Sequence, residues 1–284
     1  GLNSKLGSVS LDPDVEVPRY VSASDIHLMP GNYHTERAED DTSQAALFDR
    51  GLYLYQGGFA GPLCDNNGRS QAEVIKRRWP DFKPKKILDL GCTVGNNTLP
   101  YADVFPDAEL HAIDVAAPCV RYGHARAEAL GVPCHFHQMN AEDTSFEDES
   151  FDLIVSCILF HETSRTGLEN ILQESHRLLK PGGMMLHMEV PRTEGMDPYS
   201  AFRLDWDTYY NNEPFLSTWM RTDVGESCVK AGFDADKYIH IAAPDFGSVS
   251  DEEFDRYAKT AESATGTHGH WGEMVMWNMY GAWK

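Results

Sequence analysis

Residues 87–102 read Ile87-Leu88-Asp89-Leu90-Gly91-Cys92-Thr93-Val94-Gly95-Asn96-Asn97-Thr98-Leu99-Pro100-Tyr101-Ala102, and their order decides the fold. An apolar run opens the stretch, two glycines punctuate it and a helix is expected within a few residues, the pattern of a strand turning sharply into a helix. Glycine at such a turn lets the backbone come close to a ligand, and the amino end of the helix favours electron-rich groups. Outward from there, apolar runs alternate with helical stretches. KILDL is followed by AELHAID, PCHFHQ, FDLIVSCIL and GGMMLHMEV. Helices are expected at residues 99–105, 118–130 and 167–179, the last closed by Lys180-Pro181-Gly182-Gly183. Strands separated by helices of that length imply right-handed crossovers and a parallel sheet.

The 284 residues suit one large α/β domain with an added lid. The first 40 are polar, rich in Pro, Gly, Asp and Ser, and read as an extended arm. A helical pattern at 44–55 stops at Gly57-Gly58, and a second at 70–78 stops before Pro80. The expected division is therefore an arm with helices over 1–80 and a catalytic domain over 81–284. Residues 192–221 interrupt the strand–helix alternation with a segment dense in aromatics and acids, too long for an ordinary connection, and read as a helical insertion near the carboxyl edge of the sheet. A helix at 223–231, the strand KYIHIAA, an acidic helix at 251–262 and the apolar stretch EMVMWNMYGAW complete the chain.

Charge narrows the partners. With 24 Lys and Arg against 44 Asp and Glu, the net charge of -20 repels phosphate backbones and anionic membranes. No nucleic acid and no membrane partner is expected, and a small molecule is. No stretch approaches the roughly 20 apolar residues of a membrane span, and the start lacks a signal-peptide pattern, so the chain reads as cytoplasmic. The six cysteines contain no C-x-x-C pair and read as reduced, structural thiols. The remaining histidines, His268 and His270 among them, form no ligand pattern, so no metal is expected. Oligomeric state is not written in the sequence.

Asp114 ends the next expected strand, 23 residues after Gly91, where a carboxylate can accept hydrogen bonds from both hydroxyls of a ribose. That pairing points to a nucleoside-containing cofactor. A dinucleotide fold wants G-x-G-x-x-G to admit a pyrophosphate, whereas this turn is Gly91-Cys92-Thr93-Val94-Gly95. Asp89, at the mouth of the turn, suits an ammonium or sulfonium rather than a phosphate. A nicotinamide-dependent oxidoreductase is the weaker alternative.

On these residues the chain resembles the class I S-adenosylmethionine-dependent methyltransferases, notably the group that includes the ubiquinone-biosynthesis C-methyltransferases, over residues 85–190. The resemblance implies a doubly wound, Rossmann-like α/β fold: a seven-stranded, mostly parallel sheet with an antiparallel last strand, here with an N-terminal arm and a helical lid insertion. Asp89, Gly91 and Gly95 match the first motif, Cys92 lies within its loop, and Thr93 stands where many members have glycine. By the same resemblance Asp114 grips the cofactor ribose and Val115 packs on adenine. Asn140, where aspartate is common, shares the reading of the adenine edge with Ala141 and Glu142. FDLIVSCILFHE, carrying Cys157, matches the fourth strand and its loop, and Tyr55 resembles a tyrosine that relatives fold over the methionine part of the cofactor. The implied cofactor is S-adenosyl-L-methionine, released as S-adenosyl-L-homocysteine. The implied reaction is methyl transfer to O, N, C or S of a small molecule. A non-catalytic cofactor-binding or regulatory module is the alternative from another class.

Methyl transfer is an in-line displacement, so the protein must chiefly desolvate and align a nucleophile, and a base is needed only if a proton must leave. His161 and Glu162, beyond the fourth strand, are the catalytic candidates; the plainer reading has His161 cap a helix or pack beneath the cofactor and leaves Glu162 solvated. His187 and Glu189 share one face of the fifth strand, where Glu189 needs a partner if buried and is expected to shape the acceptor pocket. Trp206, Tyr209 and Tyr210 are expected either to contact the acceptor from a lid or to form a small local core.

Overall fold

Alternating apolar residues on adjacent parallel strands leave two faces to be covered, and the chain covers both. The structure is a computed structural model that describes residues 6–260 and 276–284. His268, His270 and the beginning of the final apolar stretch lie outside the described residues.

The strands are β1 (Ser8–Ser10), β2 (Lys86–Leu90), β3 (Glu109–Asp114), β4 (His135–Gln138), β5 (Phe151–Cys157), β6 (Leu179–Glu189), β7 (Tyr238–Pro244) and β8 (Met276–Trp283). The helices are α1 (Arg19–Ser22), α2 (Ser43–Tyr55), α3 (Asn66–Arg78), α4 (Tyr101–Val104), α5 (Ala117–Leu130), α6 (Arg165–Leu178), α7 (Pro198–Tyr210), α8 (Leu216–Trp219), α9 (Val224–Lys230) and α10 (Asp251–Thr260). They build one sheet of eight strands in the order β1-β4-β3-β2-β5-β6-β8-β7. All neighbours are parallel except at β8, which runs antiparallel to β6 and β7.

The sheet thus exceeds the seven strands expected. The additional strand is β1, three residues of the arm that pair with β4 in the register Ser8↔His135 to Ser10↔His137. Backbone amides of Leu6 and Gly7 donate to Glu128 on α5, holding the arm along an edge that would otherwise expose unpaired β4 groups. Ser-Val-Ser is too short to carry a periodic signal, and so the pairing is invisible in the sequence.

Odd and even positions of β2 divide between two cores. Ile87 joins Leu110, Ala112, Leu153, Val155, Met184 and Leu186 beneath α3, α4 and α10. Leu88 and Leu90 join Ile113, Ile154 and Met185 beneath α6, α8 and α9. Local signals set the helix ends. Ser164 caps α6 by accepting the Gly167 amide at 3.0 Å, and α5 closes on Gly131 in the left-handed conformation. All six cysteines are free thiols, and burial pushes those of Cys92, Cys119, Cys134 and Cys157 up, which keeps them protonated and unreactive.

Candidate active site

The loop after β2 turns on Gly91, whose φ of +63° belongs to glycine; a Cβ there would meet Leu159 at 2.7 Å. Thr93 takes a left-handed φ of +45°, a conformation natural to the glycine that the resemblance sets at this position. Its amide donates to Asp114 Oδ2 at 2.9 Å, while Ala116 N–H donates to Oδ1 at 2.8 Å. Asp114 is therefore stapled between two loops at the carboxyl end of β3. Burial pushes its pKa up to about 6 against those amide hydrogen bonds. Asp89 lies deeper, accepting from Asn97 and Thr98, with burial raising it to about 7. Gly68 on α3 comes so close to this loop that a Cβ would sit 2.3 Å from the Asn97 carbonyl oxygen.

A cavity of about 680 Å³ opens over the carboxyl ends of β2, β3 and β5, within the ~300–1,000 Å³ usual for small-molecule sites. Of the residues singled out in the sequence, Tyr55, Gly91, Cys92, Thr93, Asp114, Val115, Asn140, Ala141, Cys157, His161 and Glu162 stand on its wall. Asp89 and Gly95 lie behind the loop rather than on the wall. Glu142 turns away, accepting from Tyr20 at 2.7 Å and from Asn170 at 2.8 Å.

Glu189 does not shape the cavity directly. It is completely buried behind His161, where it accepts from His161 Nδ1 at 2.8 Å and from the Phe160 amide. Trp206, Tyr209 and Tyr210 are not on the wall either. Trp206 and Tyr210 stack at 3.9 Å between centroids on the outside of α7, and Tyr209 is 81% exposed. The part of the insertion that does reach the cavity is Leu204, Asp207, Asn211, Glu213 and Leu216. The sequence offered no sign of this, because helical phase, not aromatic content, decides which residues face inward.

His161 occupies a position the sequence could not foresee. Glu213 Oε2 lies 3.0 Å from its Nε2, so the ring is clamped between two carboxylates. Burial alone favours the neutral ring, but Glu189 and Glu213 outweigh it and hold the pKa well above the usual range. His161 is thus hydrogen-bonded to Glu189 at Nδ1 and faces Glu213 at Nε2, a surrounding unlike that of a free, solvated base.

The chain of charges continues. His27, from the arm, lies 3.3 Å from Glu213 and 2.9 Å from Glu162, and Tyr33 donates to Glu162 at 3.0 Å. Burial opposes charge on His27, yet Glu162 and Glu213 raise its pKa to about 10. Asn212 ties the insertion to the arm through Ser24 and the Asp25 carbonyl. Arm, insertion and strand ends thus meet in one polar network on the cavity wall. His27, Tyr33 and Glu213 are the functional candidates that sequence reading missed, since they lie in stretches without periodicity or motif.

The cavity can receive the cofactor implied by the sequence. Asp114 presents a fixed carboxylate, Gly91 keeps the floor low, and Asn96 and Asn97 line the cavity, their buried amide oxygens without a hydrogen-bond partner among the described residues. Among those residues no three His, Cys, Asp or Glu side chains group as metal ligands, and no helix is long and apolar enough to cross a membrane.

Comparison with known proteins agrees with this geometry. Residues 87–183 match the family model described as a methyltransferase domain. A demethylmenaquinone methyltransferase of Thermus thermophilus is 33% identical over 50% of this chain and 62% of its own length. A ubiquinone/menaquinone biosynthesis C-methyltransferase of Pasteurella multocida is 30% identical over 59% of this chain and 61% of its own. The chain thus spans about six-tenths of these relatives. The fold is shared with a phosphoethanolamine N-methyltransferase of Haemonchus contortus solved with S-adenosyl-L-methionine, at a TM-score of 0.54 and 16% identity over 84% of this chain and 59% of that one.

Proposed function

We propose that this chain, which carries a class I S-adenosylmethionine-dependent methyltransferase domain, transfers a methyl group to a small molecule held in the cavity that runs from Asp114 to Glu213. The carrying observation is the continuity of that cavity: residues suited to the cofactor and a walled space beyond them belong to one enclosure. A module that only bound cofactor would have no need of the second part.

When bound, S-adenosylmethionine supplies a methyl group on a positively charged sulfur. Asp114 would hold the ribose, Val115 and Ala141 would flank the adenine, and the amide oxygens of Asn96 and Asn97 would accept from the ammonium of the amino-acid end. The arm residues Tyr20, His27 and Tyr33, with Leu204 and Leu216 of the insertion, exclude water from the acceptor end. His161 acts by holding Glu213 and closing the wall, rather than by taking a proton. Glu162 remains a candidate base on the wall, already oriented by His27 and Tyr33.

The names of two relatives make a ring-bearing, largely apolar small molecule one candidate acceptor. Free thiols at all six cysteines support a reducing, cytoplasmic setting, and the charge of -20 argues against nucleic acid. Calorimetric titration with S-adenosylhomocysteine, with NAD in parallel, tests the reading. One-to-one binding of the former alone supports it, and absence of binding overturns it.

A further inference from the structure

The acceptor end of the cavity carries an unbalanced charge. Among the described residues no Lys or Arg stands on the wall, while Asp114, Glu162, Asp207 and Glu213 do. Within the network three carboxylates, Glu162, Glu189 and Glu213, face two imidazoles, His27 and His161. Carboxylates therefore outnumber their imidazole partners before Asp207 is added. Asp207 is half-buried on the inner side of α7, and no hydrogen bond among the described residues reaches its carboxylate. Burial, then Glu213, raises its pKa, with Arg203 one turn earlier opposing.

A second observation points the same way. Glu213 is only 7% exposed, yet its Oε2, although 3.0 Å from His161 Nε2, receives no aligned hydrogen bond. Held by His161 and by Asn211, which donates to its Oε1 at 2.8 Å, Glu213 keeps its negative charge near Asp207. The rings of Tyr20, Tyr33, Phe48 and Tyr55 share the wall and offer faces attractive to a cation.

We propose that Asp207, backed by Glu213, is the specificity-determining group of the acceptor end, and that it selects a positively charged amine, protonated or quaternary, on an otherwise apolar acceptor while repelling carboxylates and phosphates. The proposal rests on the methyl-transfer reading and names the acceptor class for it. The same cationic chemistry has a second source, the sulfonium of the cofactor itself, and the test separates the two.

The experiment uses the full chain saturated with S-adenosylhomocysteine, whose sulfur is neutral, titrated calorimetrically with benzyltrimethylammonium, benzyl alcohol and benzoate. The cation is expected to bind about tenfold or more tightly than the alcohol, and benzoate not at all. Asp207→Asn should weaken the cation about tenfold and leave S-adenosylhomocysteine affinity unchanged, and Asp207→Glu should restore most of the loss. Binding of benzoate as tight as that of the cation overturns the proposal, and so does an Asp207→Asn protein that holds the cation like wild type. If Asp207→Asn instead lowers only the affinity for S-adenosylmethionine relative to S-adenosylhomocysteine, the carboxylate serves the cofactor and the acceptor assignment falls. Failure of S-adenosylhomocysteine to bind wild type is a different result: it removes the methyl-transfer reading, while the same three probes on the unloaded protein still decide the role of Asp207.

Discussion

Two groups of wholly or partly buried histidines meet opposite fates in this molecule. At the cavity, His161 and His27 are held charged, each between two carboxylates. On the sheet near β1, His111 of β3 and His137 of β4 stack at 5.3 Å, with Nδ1 of the first 3.1 Å from Nε2 of the second. Burial drives both down to about 4, although Glu109 sits 2.6 Å from His111. Glu109 is half exposed, so water screens its charge, whereas Glu189 and Glu213 are buried and screened little. Burial by itself makes a histidine neutral; two buried carboxylates reverse the outcome. Among the described residues the reversal occurs only where arm, insertion and strand ends converge on the cavity.

Removing a carboxylate from the charged group is expected to have the largest effect. Glu189→Ala leaves His161 with one partner and strips the Phe160 amide of its acceptor, so stability should drop by about 3–5 kcal/mol in urea unfolding. A loss below 1 kcal/mol would mean that His161 is neutral in the folded protein, and the contrast would vanish.

Next in size is Asp114→Ala, which asks whether the charged side of the molecule extends to the cofactor. Loss of its charge-assisted hydrogen bonds should weaken S-adenosylhomocysteine binding by about 1.5–3 kcal/mol, read by calorimetry. Unchanged affinity would remove the ribose assignment.

The two groups also predict opposite pH responses. His27 has a raised folded pKa, so its stabilisation is complete below its unfolded value of about 6.5 and is lost as pH rises towards 10. His111 and His137 have lowered values, so the unfolded chain takes up protons first, and stability is lost as pH falls from about 6.5 towards 4. The denaturation midpoint should therefore peak near neutrality. His27→Gln should flatten only the alkaline limb, and a variant that flattened the acidic limb instead would contradict the assignment.

The smallest effect is expected on the outer surface of α7. Tyr209→Ala should change stability by less than about 0.5 kcal/mol and leave S-adenosylhomocysteine affinity intact, because the side chain is 81% exposed and off the cavity wall. A large loss of affinity would return that residue to the cavity wall.

The part of the cavity proposed for the cofactor was far more legible than the part proposed for the acceptor. Gly91, Asp114 and Val115 are contributed by strand ends and the turns that follow, where the local sequence dictates backbone shape, and their spacing can be read directly. Trp206, Tyr209 and Tyr210 drew attention by composition, but the phase of α7 turned them outward and left Leu204 and Asp207 facing in. Glu189 is buried and paired as its strand position demanded, yet its partner is His161 rather than an acceptor.

What the sequence determined by itself is the alternation of strands and helices, the sharp turn at Gly91 and the carboxylate at the end of β3, since each follows from periodicity and backbone sterics within a few residues. Only the tertiary structure decided that His27 meets Glu162 across 135 positions of chain, that β1 joins the sheet edge, and that His161 is charged while His187, equally buried, is driven down to about 3. Charge state depends on which dipoles and carboxylates surround a group once water is gone, and no local pattern of residues specifies that surrounding.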